Sequence, residues 1–202
     1  MKRFHWLLLV LAIALGGCGE KVPKLPPLAS SDVIVAFGDS LTYGTGASEH
    51  ESYPAVLAQM TGRKVIGAGV PGEVTARGLA RLPQVLDEHR PRLVIVCLGG
   101  NDLLRKVPQA DIKSNLRRII QLIRDQGAAV VLIGVPQPAL LSSAPEFYED
   151  LAREFKIPYD GKTVKSVLFS ADLKSDPIHP NAKGYRVIAE TVAALLKKAG
   201  AL

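Results

Sequence analysis

The chain has 202 residues, 48% of them hydrophobic and 22% charged, with a formal net charge of +6. That length suits a single domain with a full core. Its basic residues are scattered, with no block longer than pairs such as Arg117-Arg118 and Lys197-Lys198, so no nucleic-acid footprint is expected, and two cysteines far apart exclude a disulfide framework or a Cys/His metal cluster.

The amino terminus reads as an address. Lys2, Arg3 and His5 precede an apolar run from Trp6 to Leu15, followed by Gly16, Gly17 and Cys18. A basic n-region, a short h-region and small residues make a signal peptide, and a membrane span would need about 20 apolar residues. Leu15-Gly16-Gly17-Cys18 resembles a bacterial lipobox. The alternative is an ordinary secretory signal with an incidental cysteine. On the lipobox reading, residues 1–17 are removed and Cys18 carries the lipid, several acyl chains on one residue being a stable anchor. Gly19, where Asp would signal inner-membrane retention, points to the outer membrane, facing the periplasm. Residues 18–31, with Pro23, Pro26 and Pro27 and no apolar periodicity, read as an extended tether that reaches at most roughly 40 Å. The mildly basic remainder suits a surface that faces anionic lipid.

From residue 32 on, strands and helices alternate. Val33–Phe37 is an apolar, β-branched run that stops at Gly38. Asp39-Ser40-Leu41 follows at the carboxyl edge, where open α/β sheets bind ligands. Ser40 there is either a presented hydroxyl or a cap for the next helix. A helix is expected over Ser52–Met60, stopped at Thr61-Gly62, and a short strand at Lys64–Ile66.

The next loop, Gly67 to Glu73, carries G-x-G-x-x-G and so raises dinucleotide binding. Against this, no acid ends the following strand, because Asp87 and Glu88 fall on a helix, and Pro71 removes a backbone N–H that should cradle phosphate. Val74–His89 has helical spacing, with Pro83 bending or interrupting it. Leu93–Leu98 is a buried strand with Cys97 as an unpaired core thiol, and Gly99-Gly100-Asn101-Asp102 turns sharply at its end. Asn101 is placed to donate to a ligand or to cap the loop. Ile112–Asp125 is amphipathic, Ala129–Gly134 is a strand, and Glu146–Phe155 a helix. Ile157–Tyr159 reads as an edge strand. Asp176-Pro177-Ile178-His179-Pro180-Asn181 precedes a closing helix, Ala182–Lys198. Asp176 can reach His179 and set its tautomer, although D-x-x-H alone is also a plain exposed loop. Continuous apolar strands between helices imply a parallel sheet covered on both faces, with no repeat and no second domain.

Phe37-Gly38-Asp39-Ser40-Leu41, Gly72, Gly99-Gly100-Asn101-Asp102 and Asp176-x-x-His179 stand in the order of the blocks of the GDSL, or SGNH, serine esterases and lipases, which this chain resembles from about Val33 to Leu196. The resemblance implies a three-layer α/β/α, flavodoxin-like fold with five parallel strands. It implies Ser40, Asp176 and His179 as the catalytic residues, and Ser40, Gly72 and Asn101 as the oxyanion hole, with no cofactor and no metal. Gly67 and Glu73 depart from the Asn and Asp common at their positions in the family, which leaves the anchoring of the Gly72 loop open. The implied partner is a small acyl ester, thioester or lysophospholipid, handled by a monomer. A sugar or cell-wall O-acetyl esterase of the same family is the alternative, and a non-catalytic lipid- or wall-binding lipoprotein the alternative of another class. Gly134 to Leu141 and Leu103–Pro108 are expected either to line an acyl pocket or simply to pack.

Overall fold

The structure, a computed structural model, describes residues 22–137 and 143–202. The segment read as a leader, Cys18 and the Pro138–Leu141 part of the loop after strand four lie outside the described residues.

Five strands form one parallel sheet in the order β2-β1-β3-β4-β5: β1 Val33–Gly38, β2 Lys64–Gly69, β3 Leu93–Cys97, β4 Ala129–Ile133 and β5 Tyr159–Asp160. β3 is buried along its whole length, and β1 and β4 beyond their first residue. That is why they read as unbroken apolar runs rather than alternating ones. The chain leaves β1 for one side of the sheet and then crosses to β3 on the other. This order reverses between β1 and β3, where a doubly wound sheet opens its ligand crevice. Gly38 pairs in register with Gly69 and with Cys97, so the three strands empty into loops at one level.

Helices cover both faces. α1 is Ser40–Tyr43, α2 Tyr53–Thr61, α3 Thr75–His89, α4 Gly100–Leu104, α5 Gln109–Asp125, α6 Glu146–Phe155, α7 Thr163–Phe169 and α8 Ala182–Ala199. α2 packs on α8, and α3 packs on α5. α5 buries Ile112, Leu116, Ile119, Ile120 and Ile123, the stripe its spacing predicts. Cys97 is a buried free thiol, as expected. Among the described residues, no helix is long and apolar enough to cross a membrane.

Three expectations need correction. The second strand runs on to Gly69, because Gly67, Ala68 and Gly69 pair with Ala36, Phe37 and Gly38 although glycine usually marks a loop. Gly69 has no room for a side chain, since a Cβ there would meet the Tyr43 nitrogen and the Asp39 carbonyl oxygen. Pro83 does not interrupt α3. It sits on the exposed face, where water can satisfy the Leu79 carbonyl that lacks its donor. The tether is not free along its length. Leu25 N–H donates to the Ala199 carbonyl and Leu28 N–H to the Ala201 carbonyl, both at 3.0 Å, and Leu28 is buried. Leu25 and Leu28, beside the prolines, give this segment an apolar reason to dock, which its proline content obscures.

Candidate active site

Gly38 permits the turn from β1 into α1: a Cβ there would collide with the Cys97 carbonyl oxygen and the Thr42 hydroxyl. Asp39 caps α1, accepting from the Leu41 N–H at 3.0 Å. Ser40 is therefore the first helical residue, and its N–H belongs to the donors that have no intrahelical acceptor. Tyr185 of α8 ties the following loop down, donating from its hydroxyl to the Thr45 carbonyl at 2.7 Å.

His179 arrives from the other end of the chain. Its Nε2 lies 3.0 Å from Ser40 Oγ, and its Nδ1 lies 2.7 Å from Asp176 Oδ2. A carboxylate at Nδ1 selects the tautomer with the proton there, so Nε2 accepts from the serine hydroxyl. Asp176 also builds the loop: its Oδ1 accepts from the N–H groups of Ile178 at 2.8 Å and His179 at 2.9 Å. Partial burial pushes the Asp176 carboxyl up. The hydrogen bonds from the His179 ring and the two N–H groups, with the nearby imidazole charge, outweigh it and hold the group below the ordinary carboxylate range. Asn181 then caps α8, accepting from the Gly184 N–H at 3.1 Å.

Gly72 and Asn101 stand on two further loops. Gly72 has φ +77°, a left-handed conformation natural to glycine. Glu73 anchors its loop: the Arg81 guanidinium donates to both Glu73 oxygens, at 2.8 and 2.7 Å, and to the Ala68 carbonyl at 3.1 Å. The guanidinium carbon also stacks 4.4 Å from the centre of the Phe37 ring. The departure at Glu73 thus keeps an acidic anchor, with Arg81 on α3 as a partner that sequence reading did not identify. Asn101 donates from its side-chain nitrogen to the Glu73 carbonyl at 3.1 Å and to Asp39 Oδ2 at 3.2 Å.

Asp102 closes the next layer. It accepts from the Thr75 N–H at 2.8 Å and the Thr75 hydroxyl at 2.6 Å, capping α3 from another element. Tyr148 of α6 donates to the Leu98 carbonyl at 2.9 Å and packs where a side chain at Gly99 would stand. Neither Thr75 nor Tyr148 carries a local motif that could have revealed it. Asp39 is fully buried, and burial first, then the Asp102 and Glu73 charges, raise its carboxyl to about 7 against the opposing Leu41 N–H.

Ser40, Asn101 and His179 line one cleft, walled by Leu104, Val135, Pro136, Leu168 and Ile178. Leu104 and Val135 come from the two loops the sequence offered as pocket walls. Leu168 and Ile178 were not anticipated. The G-x-G-x-x-G spacing does not form a phosphate loop, because Gly67 and Gly69 lie inside β2. No group of His, Cys, Asp and Glu among the described residues could hold a metal ion.

The profile of the GDSL-like Lipase/Acylhydrolase family matches residues 36–187. The chain is 33% identical over 177 residues to the thioesterase 1/protease 1/lysophospholipase L1 of Escherichia coli (strain K12), covering 84% of this chain and 85% of that protein. It is 34% identical over 180 residues to an arylesterase of Vibrio mimicus, covering 84% and 90%. The crystal structure of TesA superposes with a TM-score of 0.74 at 29% identity, over 83% of this chain and 99% of that one.

Proposed function

This chain belongs to the GDSL-like Lipase/Acylhydrolase family and is a serine esterase, and from that premise we propose that it hydrolyses small acyl esters, thioesters or lysophospholipids through an acyl-enzyme on Ser40. The unbroken relay Ser40 Oγ–His179 Nε2 and His179 Nδ1–Asp176 carries the reading.

Ser40 Oγ attacks the acyl carbon as its proton passes to His179 Nε2. The carbonyl oxygen becomes an oxyanion held by the N–H groups of Ser40 and Gly72 and the amide of Asn101. The bond from the acyl carbon to the leaving oxygen or sulfur breaks, and His179 gives its proton to that leaving group. Water then attacks the acyl-serine with His179 as base, releasing the acid and restoring Ser40. Asp176 holds His179 and stabilises the imidazolium. Asn101 enters this scheme already donating twice, so stabilising the oxyanion means sharing or exchanging one of those bonds. The apolar wall of Leu104, Val135, Leu168 and Ile178 suits an acyl chain.

Leu15-Gly16-Gly17-Cys18 and Gly19 support a periplasm-facing protein anchored by lipid on Cys18, in the outer rather than the inner membrane. A fluorophosphonate probe tests the catalytic reading: it labels Ser40 in the active protein, whereas a non-catalytic lipoprotein stays unlabelled. A panel of p-nitrophenyl esters of rising chain length, lysophospholipids and acetylated sugars then ranks the substrates. Hydrolysis of acetylated sugars alone would overturn the acyl-ester choice in favour of the O-acetyl esterase.

A further inference from the structure

The described chain begins at the pole opposite the catalytic mouth. Leu25 and Leu28 bond to the carbonyls of Ala199 and Ala201, and Lys24 Nζ reaches the Lys198 carbonyl at 3.2 Å. Those acceptors belong to the end of α8 and its tail. The helix starts at Ala182, just beyond His179, and runs 18 residues. At 1.5 Å per residue it separates the mouth from this strap by about 27 Å. Cys18 lies seven residues before Leu25, with Pro23 between. Seven residues fully extended span at most about 25 Å. A lipid on Cys18 can therefore stand no farther than about 25 Å from Leu25 while the strap is docked, short of the mouth.

The strap and the end of α8 carry positive charge to that pole. Lys24, Lys197 and Lys198 are all exposed there, suited to a layer of anionic headgroups. The mouth, by contrast, has the exposed apolar side chain of Leu104, and Phe169 stands exposed next to Leu168 of its wall. On an unconstrained enzyme these would favour the opposite arrangement, mouth on membrane.

We infer that the Leu25–Leu28 strap holds the anchored enzyme with its Lys24/Lys198 pole on the bilayer and its mouth turned to the aqueous space, so that its substrates are water-soluble acyl esters rather than lysophospholipids of the bilayer that carries it. This rests on the Cys18 anchoring proposed above, and the test separates the two. Replacing Cys18 with serine in cells decides natural lipidation. Orientation is measured on the chain from residue 18, coupled at Cys18 to a maleimide phospholipid in phosphatidylglycerol/phosphatidylethanolamine vesicles containing brominated lipid. Cys97 is 1% exposed and does not compete. The one tryptophan of the chain is Trp6, so the chain from residue 18 has none, and single tryptophans report position.

Lys198→Trp should lose most of its emission to the brominated lipid and Phe169→Trp should keep it. Turnover of a soluble short-chain p-nitrophenyl ester should be unchanged by coupling and shows that each variant is folded. Leu28→Asp, which unseats the strap, should make Phe169→Trp quenchable. Quenching of Phe169→Trp as strong as that of Lys198→Trp, quenching of neither, or no effect of Leu28→Asp would each overturn the inference.

Discussion

Asp39 Oδ2 lies 3.2 Å from the side-chain nitrogen of Asn101, which also donates to the Glu73 carbonyl. The Glu73 carbonyl can only accept, so turning the amide over would set its oxygen against that carbonyl oxygen. The Asn101 amide is oriented by this contact, and through it the Ser40 turn and the loops of Gly72 and Asn101 become one hydrogen-bonded unit. Asp39 does this while capping α1, so the residue before the serine shapes both sides of the site.

Asp39→Asn should therefore lower kcat, yet by less than Ser40→Ala. An Asn here can still cap Leu41 with its oxygen, but its NH2 then faces the NH2 of Asn101. The same variant should change the pH dependence of stability. The folded-state carboxyl is raised from 3.8 to about 7. The native state thus binds the proton more tightly, and its contribution to stability, complete below the ordinary value, is lost as pH rises towards 7. Such a shift amounts to roughly 4 kcal/mol at most. Urea unfolding of wild type and variant at pH 4.5 and 7.5 reads this directly. The difference should move in the variant's favour at the higher pH, and parallel behaviour would contradict the assignment.

Arg81→Leu should destabilise the protein and slow it. Glu73 is buried, and loss of its partner leaves a carboxylate without a counter-ion. Arg81 keeps some exposure, so the cost should be about 2–3 kcal/mol, below the roughly 3–5 kcal/mol seen for fully buried pairs. The paired change Glu73→Gln with Arg81→Leu should recover part of that stability while kcat stays low, because the Gly72 loop remains loose. Thermal unfolding and kcat on one ester distinguish these. Additive losses would mean that the two residues act independently.

The strands at the centre of the sheet were legible because burial on both faces leaves an unbroken apolar code, as in Leu93-Val94-Ile95-Val96. Ser40, Asn101 and His179 were legible because each follows or precedes an element at the one sheet edge. Edge strand β2 was underestimated at Gly67–Gly69, where backbone crowding rather than side-chain preference decides the conformation. α1, α4 and α7 were not seen, since helices of four to seven residues have too few turns to show a period. Thr75, Arg81 and Tyr148 act across the fold, by contacts that no local pattern encodes. The docking of Leu25 and Leu28 was hidden by the prolines around them.

Asn101→Ala should leave folding intact and reduce kcat more than it changes KM. Removal of one oxyanion donor costs about 10²–10³ in kcat. Part of the loss here would come from freeing Asp39 and the Glu73 carbonyl, so Asn101→Asp, similar in size but without the amide donor, makes the comparison. Near-normal turnover of short p-nitrophenyl esters by Asn101→Ala would remove Asn101 from the oxyanion hole.

The triad makes a prediction about rank. Ser40→Ala and His179→Ala should each abolish nearly all esterase activity, because proton transfer and attack are one event at the 3.0 Å contact. The double variant should be little worse than either, since residues acting as a unit are strongly non-additive. Asp176 has two tasks, and its variants separate them. Asp176→Asn keeps an oxygen for the Ile178 and His179 N–H groups but can present NH2 to Nδ1, favouring the tautomer with Nε2 protonated and unable to accept. Asp176→Ala removes the loop contacts as well, yet lets water accept a hydrogen bond from Nδ1–H, because this side of the imidazole is open: the Asp176 side chain is 44% exposed. Asp176→Asn should thus be as damaging as Asp176→Ala or more so in kcat, while Asp176→Ala should be the less stable in thermal unfolding. Measuring kcat/KM and melting temperature for these variants on one ester settles the order. Substantial turnover by a folded His179→Ala would place the base on another residue.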